Sequence, residues 1–167
     1  MVGYTYQQAL DRPRTPILTF SLHIARLVSQ KKALVYFDES SFHMWMRNNR
    51  TWTPPDCSVK WAYPKLRGTG ITVFGAISTS FDKPVFMKAQ STNKDAVLKF
   101  LPLLRNKFPD PDQKVFVILD NHPSHHTREV VQLASDLNFE FMFLPPYCPE
   151  LNSIEALWGI IKRNVKK

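Results

Sequence analysis

The stretch "KVFVILDNHPSHHTREVVQLASDLNFEFMFL", residues 114–144, decides the fold class. Its opening, "KVFVIL" (114–119), is a short run of β-branched and aromatic side chains, as in a strand buried on both faces. That run stops at Asp120. "TREVVQLASDL" (127–137) reads as a helix capped by Thr127, and "FEFMFL" (139–144) as a strand again. Strand, helix and strand in this order build neighbouring parallel strands joined by a crossover.

Upstream, "ALVYF" (33–37) is a second β-rich run, and it ends directly at Asp38. "GITVFGAIS" (70–78) and "PVFMKAQ" (84–90) read as strands joined by the turn-like "TSFDK". Three strands in a row imply an antiparallel meander. "TNKDAVLKFLPLLRNKF" (92–108) reads as a helix capped by Thr92 or Asn93, with a stop or kink near Pro102. "ILTFSLHIARLVSQ" (17–30) suits a short packed helix. Residues 1–16 read as a linker, with Pro13 and Pro16 as breakers. A last helix starts at Asn152, and Ile154, Leu157, Trp158, Ile161 and Val165 form its buried stripe. The expected fold is α/β, a mixed five-stranded sheet flanked by helices.

The totals fit one domain of 167 residues. Hydrophobic residues make up 44% and charged residues 22%, an ordinary globular balance that disfavours a disordered chain. No apolar run approaches the roughly 20 residues of a membrane span. The N-terminus lacks the central apolar stretch of a signal peptide. Two cysteines, Cys57 and Cys148, are too few for a disulfide scaffold and imply free thiols in a reducing compartment. The net charge of +8 fits a polyanionic partner, nucleic acid being the commonest, and equally fits simple solubility.

Asp38 and Asp120 each end a buried-type strand, where α/β sheets build their sites. Aspartate also forms turns and caps at such places. Glu155 has two readings. With Asn152 as cap it falls at N3 of a capping box. It also borders the buried stripe, with Gly159 leaving space beside it, as a ligand would. Glu150 sits in a turn between Pro149 and Leu151, so Glu155, fixed by a helix, is the better ligand candidate. Three converging carboxylates would repel one another unless cations neutralise them. Oxygen-only ligands suit Mg²⁺ or Mn²⁺, and two such ions about 4 Å apart would make an in-line phosphoryl-transfer site.

Three pieces, "VYFDESSF" (35–42), "VILDNHPSHHT" (117–127) and "PPYCPELNSIEALW" (145–158), together resemble the catalytic domain of mariner-superfamily DDE transposases. Between Asp120 and Glu155 lie 34 residues, a separation this family favours. The resemblance covers roughly residues 33–167, leaving 1–32 as linker and short helix. It implies a ribonuclease H-like fold and makes Asp38, Asp120 and Glu155 the catalytic, metal-holding DDE triad. Glu39 and Asn121 stand beside the triad as in many relatives. The stretch 47–67, with Arg47, Arg50, Lys60, Lys65 and Arg67, falls where such enzymes carry an extended loop for DNA or a partner subunit. Relatives often have serine, aspartate and proline where this chain has Cys148, Glu150 and Ser153. They also carry helix-turn-helix modules, which the thirty-odd residues before the first strand do not hold. An excised domain, a truncated copy or a domesticated descendant is therefore expected.

His122, His125 and His126 follow Asp120 and suggest a structural or substrate-contact role more than a zinc site. The proline-rich setting of Cys148 suits an inert thiol. Trp45, Trp52 and Trp61 alternate with basic residues, which suits base stacking and loop packing equally. The basic tail "KRNVKK" fits a DNA backbone contact or a solvated helix end. The expectation is a transposase catalytic domain that cuts and joins DNA strands with two Mg²⁺ or Mn²⁺ ions. The partners expected are DNA and a homodimer or higher assembly upon it, with no membrane. The location expected is the nucleus in a eukaryote, otherwise the cytoplasm or nucleoid. The alternatives are a domesticated non-catalytic remnant that binds DNA or aids assembly, and a stand-alone ribonuclease H-like nuclease.

Overall fold

A computed structural model describes residues 14–43 and 70–165. The segment 47–67, with Trp45, Trp52, Trp61 and Cys57, lies outside the described residues, as do most of the N-terminal linker and the last two lysines. Five strands, β1 (Ala33–Phe42), β2 (Ile71–Ser78), β3 (Val85–Ala89), β4 (Val115–Leu119) and β5 (Phe139–Phe143), form one sheet in the order β3-β2-β1-β4-β5. The pairs β1–β2 and β2–β3 are antiparallel, and β1–β4 and β4–β5 are parallel. This is the expected meander followed by crossovers. Among the described residues, four α-helices flank it: α1 (Arg14–Ser29), α2 (Lys94–Arg105), α3 (Arg128–Asp136) and α4 (Ile154–Val165).

Strand alternation sorts the side chains onto two faces. Val35 and Phe37 of β1, with Val115, Val117 and Leu119 of β4, join the larger core, which α2 and α3 cover. Phe37 stacks on Phe100 of α2 at 5.0 Å and on Phe74 of β2 at 6.1 Å. Each of these fully buried rings contributes roughly 2–3 kcal/mol. On the other face Leu34, Phe116, Ile118 and Met142 meet Leu27 of α1, with Phe20 and Ile24 alongside. The first helix is thus packed on the sheet.

Several expected boundaries move for local reasons. The first helix starts at Arg14, so Pro16 lies in its first turn, where a missing N–H costs nothing. Pro102 does not stop α2, which runs on to Arg105 and is capped by Asn93, whose Oδ1 accepts from the Ala96 N–H at 2.9 Å. Thr127 stands at the N-cap position of α3 without making a side-chain cap bond, and its hydroxyl faces the Ser124 carbonyl instead. The expected α4 stripe narrows to Ile154 and Trp158, which are buried, while Leu157 and Ile161 are half-buried and Val165 is 59% exposed. The largest change is in β1. It does not end at Asp38 but continues to Phe42, paired with β2 all the way.

Candidate active site

Where β1 passes Asp38 the sheet forks. The ladder between β1 and β4 has Tyr36 opposite Ile118 as its last pair, while β1 continues along β2. Asp38 and Asp120 lie two residues beyond that pair on their own chains, so they stand level on either side of the fork. Asp38 is therefore a mid-strand residue, and Asp120 is the first residue after β4. Alternation puts the Asp38 side chain on the face of Leu34 and Tyr36.

The same face carries α4. Gly75 of β2 is the direct partner of Asp38, and a β-carbon there would stand 2.6 Å from Trp158 Cζ2 and 3.1 Å from Ile154 Cδ1. Glycine at this one position lets the helix lie close against β1 and β2. Trp158 is 1% exposed and packs edge-on against Phe42. Glu155 lies in the first turn of this helix. Sequence periodicity points to Trp158, but Gly75 looks like an ordinary strand residue until its partner helix is known.

Asn152 does not form the expected capping box. Its backbone carbonyl accepts from the Glu155 N–H at 3.1 Å, but its side-chain amide donates 3.1 Å to the carbonyl of Phe37, the residue before Asp38. α4 begins at Ile154, so Glu155 is the second helical residue and not the third. A buried amide therefore ties the start of the Glu155 helix to the Asp38 strand. Asn152→Ala is expected to leave the Phe37 carbonyl unsatisfied. The cost should be about 1–3 kcal/mol in denaturant unfolding, with a larger fractional loss in any reaction that needs both acids. Asn121 makes a parallel tie, donating 2.7 Å to the Leu144 carbonyl and holding the ends of β4 and β5 together. Glu150 is exposed, in the short 3₁₀ turn Pro149–Leu151.

Burial, then the charges of Glu155, Glu39 and Asp120, push the Asp38 carboxyl up to about 8. Among the described residues, no lysine or arginine forms an ion pair with Asp38, Asp120 or Glu155.

Asp120 is different. Its Oδ1 accepts from the His122 N–H at 3.0 Å and lies 3.2 Å from His125 Nδ1. Burial works against its charge, but the bonds from His125 and His122 outweigh that and hold the carboxyl below its ordinary value. His125 is fully buried, with Nε2 2.9 Å from Glu39 Oε1. Burial would lower the imidazole, yet its bonds to Asp120 and Glu39 win and push it up to about 10. Ligand atoms of Glu39, Asp120 and His125 all lie within 4.8 Å of one another, a spacing that could hold a metal ion. That group shares only Asp120 with the three acids singled out in the sequence.

The other histidines diverge. His122 Nδ1 lies 2.8 Å from the Ser124 hydroxyl, and His126 is exposed and stacks on Phe143 at 4.1 Å. Cys148 is buried.

Residues 33–167 match the family model described as DDE superfamily endonuclease. No curated protein sequence matches the chain. Among solved structures, the Mos1 transposase paired-end complex with left transposon end superposes with a TM-score of 0.64 at 20% identity. The pre-cleavage Mos1 transpososome gives 0.65 at 18%, and the isolated catalytic domain of Mos1 mariner transposase 0.59 at 18%. The first two alignments cover 88% of this chain and 46% and 47% of theirs. The third covers 89% and 69%. The chain thus spans about half the length of the Mos1 chains in those DNA complexes. At these identities the likeness establishes the fold, which is ribonuclease H-like.

Proposed function

The chain belongs to the DDE superfamily of endonucleases, and on that premise we propose that it is a transposase catalytic domain that cuts and joins DNA strands with divalent cations. What supports this reading is the fork in the sheet: Asp38 on β1 and Asp120 just past β4 stand level on either side of it, and Glu155 lies in the first turn of the helix packed on the Asp38 face. The solved relatives, described as transposon-end complexes, support DNA as the substrate.

The donor set fits Mg²⁺ or Mn²⁺. It consists of carboxylate oxygens, and burial together with the charges of Glu155, Glu39 and Asp120 raises the Asp38 carboxyl, a cost that a bound cation would offset. Asp38, Asp120 and Glu155 would hold two such ions. When bound, the ions would supply Lewis-acid activation of the attacking oxygen and charge neutralisation on the leaving one. In the first reaction, water adds to phosphorus and the P–O3′ bond breaks, leaving a 3′-hydroxyl and a 5′-phosphate. In the second, that 3′-hydroxyl displaces a 3′ oxygen in target DNA, so one phosphodiester forms as another breaks. The chain's part is to hold the three acids on rigid elements. The strand pair fixes Asp38, the loop bonds fix Asp120, and Gly75, Trp158 and Asn152 fix the helix of Glu155. Assembly as a dimer or larger complex on DNA belongs to the same reading, as does a location with the DNA, in a eukaryotic nucleus or a bacterial nucleoid. None of the described helices is long and apolar enough to cross a membrane.

The test is plasmid nicking with Mn²⁺ by the full chain and by Asp120→Ala. Nicking by the wild type alone is expected. Equal nicking by both would overturn the assignment to these acids, and none by either together with a flat Mn²⁺ titration would overturn the reading in favour of a non-catalytic DNA-binding or assembly module.

A further inference from the structure

Glu39 and His125 are separated by 86 residues in sequence, yet they meet inside the fork between β1 and β4. Glu39 follows Asp38 on β1, so its side chain points to the opposite face of the sheet. His125 reaches that face from the short 3₁₀ turn Pro123–His126, its ring 5.4 Å from Phe37. The imidazole is spanned on both sides. Nε2 faces Glu39 Oε1 at 2.9 Å, and Nδ1 lies 3.2 Å from both Oδ1 and the backbone carbonyl of Asp120. The histidine side chain has no exposure and the Glu39 side chain 7%, while that of Asp120 is half exposed.

A nearly buried carboxylate is costly, and an apolar side chain at position 39 would pack at lower cost. What the carboxylate does there is orient a ring, and the ring in turn takes hold of Asp120. Both contacts to the Asp120 carboxylate, from His125 and from the His122 N–H, fall on Oδ1. Oδ2 has no such contact among the described residues. Each ring nitrogen already faces a carboxylate oxygen, so the ring itself holds the place a cation would take among Glu39, Asp120 and His125.

We propose that Glu39 and His125 are a positioning pair for Asp120, fixing Oδ1 so that Oδ2 is presented for cation binding. The inference rests on the metal reading above. It assigns Glu39 to an outer shell, and it gives the histidine after the second aspartate a role that touches neither DNA nor metal. Partners of this kind typically change metal affinity 10–100-fold when removed.

Mn²⁺ titration calorimetry on the full chain tests it, alongside thermal melts of each variant. His125→Ala is expected to weaken Mn²⁺ binding by about 10–100-fold. Glu39→Gln, which keeps an acceptor for Nε2, should weaken it by only a few-fold. Removing the ring also uncovers the Glu39 charge, which alone would tighten cation binding, so weakening reports lost orientation. If His125→Ala does not fold, Glu39→Ala takes its place, with about tenfold weakening expected. A merely structural role would lower the Tm and leave the Kd of the folded protein unchanged. An unchanged or tightened Kd overturns the inference while leaving the metal reading intact. No Mn²⁺ binding by the wild type overturns both.

Discussion

Asp38→Asn is expected to be nearly inactive in Mn²⁺-dependent nicking and, without metal, more stable than the wild type. The activity loss would follow from removing one of the proposed cation anchors. If they supply about 4 kcal/mol of transition-state stabilisation, losing them slows nicking about a thousandfold. The stability gain follows from the raised Asp38 carboxyl. Burial, with Glu155, Glu39 and Asp120 close by, holds it at about 8, against 3.8 for an unperturbed aspartate. Between those values the folded state keeps a proton that the unfolded chain releases, so metal-free stability falls as the pH rises from about 4 to about 8. Asparagine removes that penalty. The gain should be negligible near pH 4 and largest at pH 8, about 1–2 kcal/mol or ~3–6 °C in Tm. Melts of both proteins across this range check it, and a gain independent of pH would count against the cause given. The same proton makes a second readout. Mn²⁺ binding to the wild type at pH 7 should release about one proton, seen as a buffer-dependent binding enthalpy that Asp38→Asn lacks.

Gly75→Ala is expected to be strongly disruptive for function. The new β-carbon would stand 2.6 Å from Trp158 Cζ2 and 2.7 Å from Cη2. The indole cannot turn aside, because it is buried and held between Phe42 and Phe86, at ring distances of 6.1 and 5.7 Å. The helix must lift instead, and Glu155 rides on its first turn. Overpacking of this kind costs about 1–3 kcal/mol. A misplacement of the order of 1 Å can cost about a hundredfold in rate. Denaturant melts and nicking assays together check this. A variant that loses stability but nicks at the wild-type rate would show that helix position does not govern the reaction. Gly159, on the same helix with nothing within 4 Å of a β-carbon, is the control, since alanine there should be tolerated.

How much of this was readable in the chain follows from the range of the forces involved. Element type is local. The β-rich runs at 33–37 and 114–119 and the helix after Asn152 announced themselves through side-chain periodicity, and all three elements appear in the structure. So did the order of strands and helices, which sufficed for a mixed five-stranded sheet. The three acids could be singled out because two of them terminate apolar runs and the third borders one. What a strand does after its apolar run ends is not local. β1 continues through Asp38 to Phe42 because β2 supplies hydrogen-bond partners there, and nothing in "DESSF" signals them.

The same limit applied to Asn152, which periodicity and capping rules assigned to its own helix. The Phe37 carbonyl, 115 positions away, became its partner because the buried carbonyl would otherwise go unsatisfied. Glu39, His125 and Gly75 belong to this second class. The first two read as neighbours of the candidate acids and the third as filler in a strand. Only packing assigns them a buried imidazole bridge and a helix contact. For this protein the sequence determined which elements form and which acids are candidates, since patterning acts over a few residues. The tertiary structure decided where the elements carrying the acids stand and what holds them there, since those depend on contacts between segments far apart in the chain.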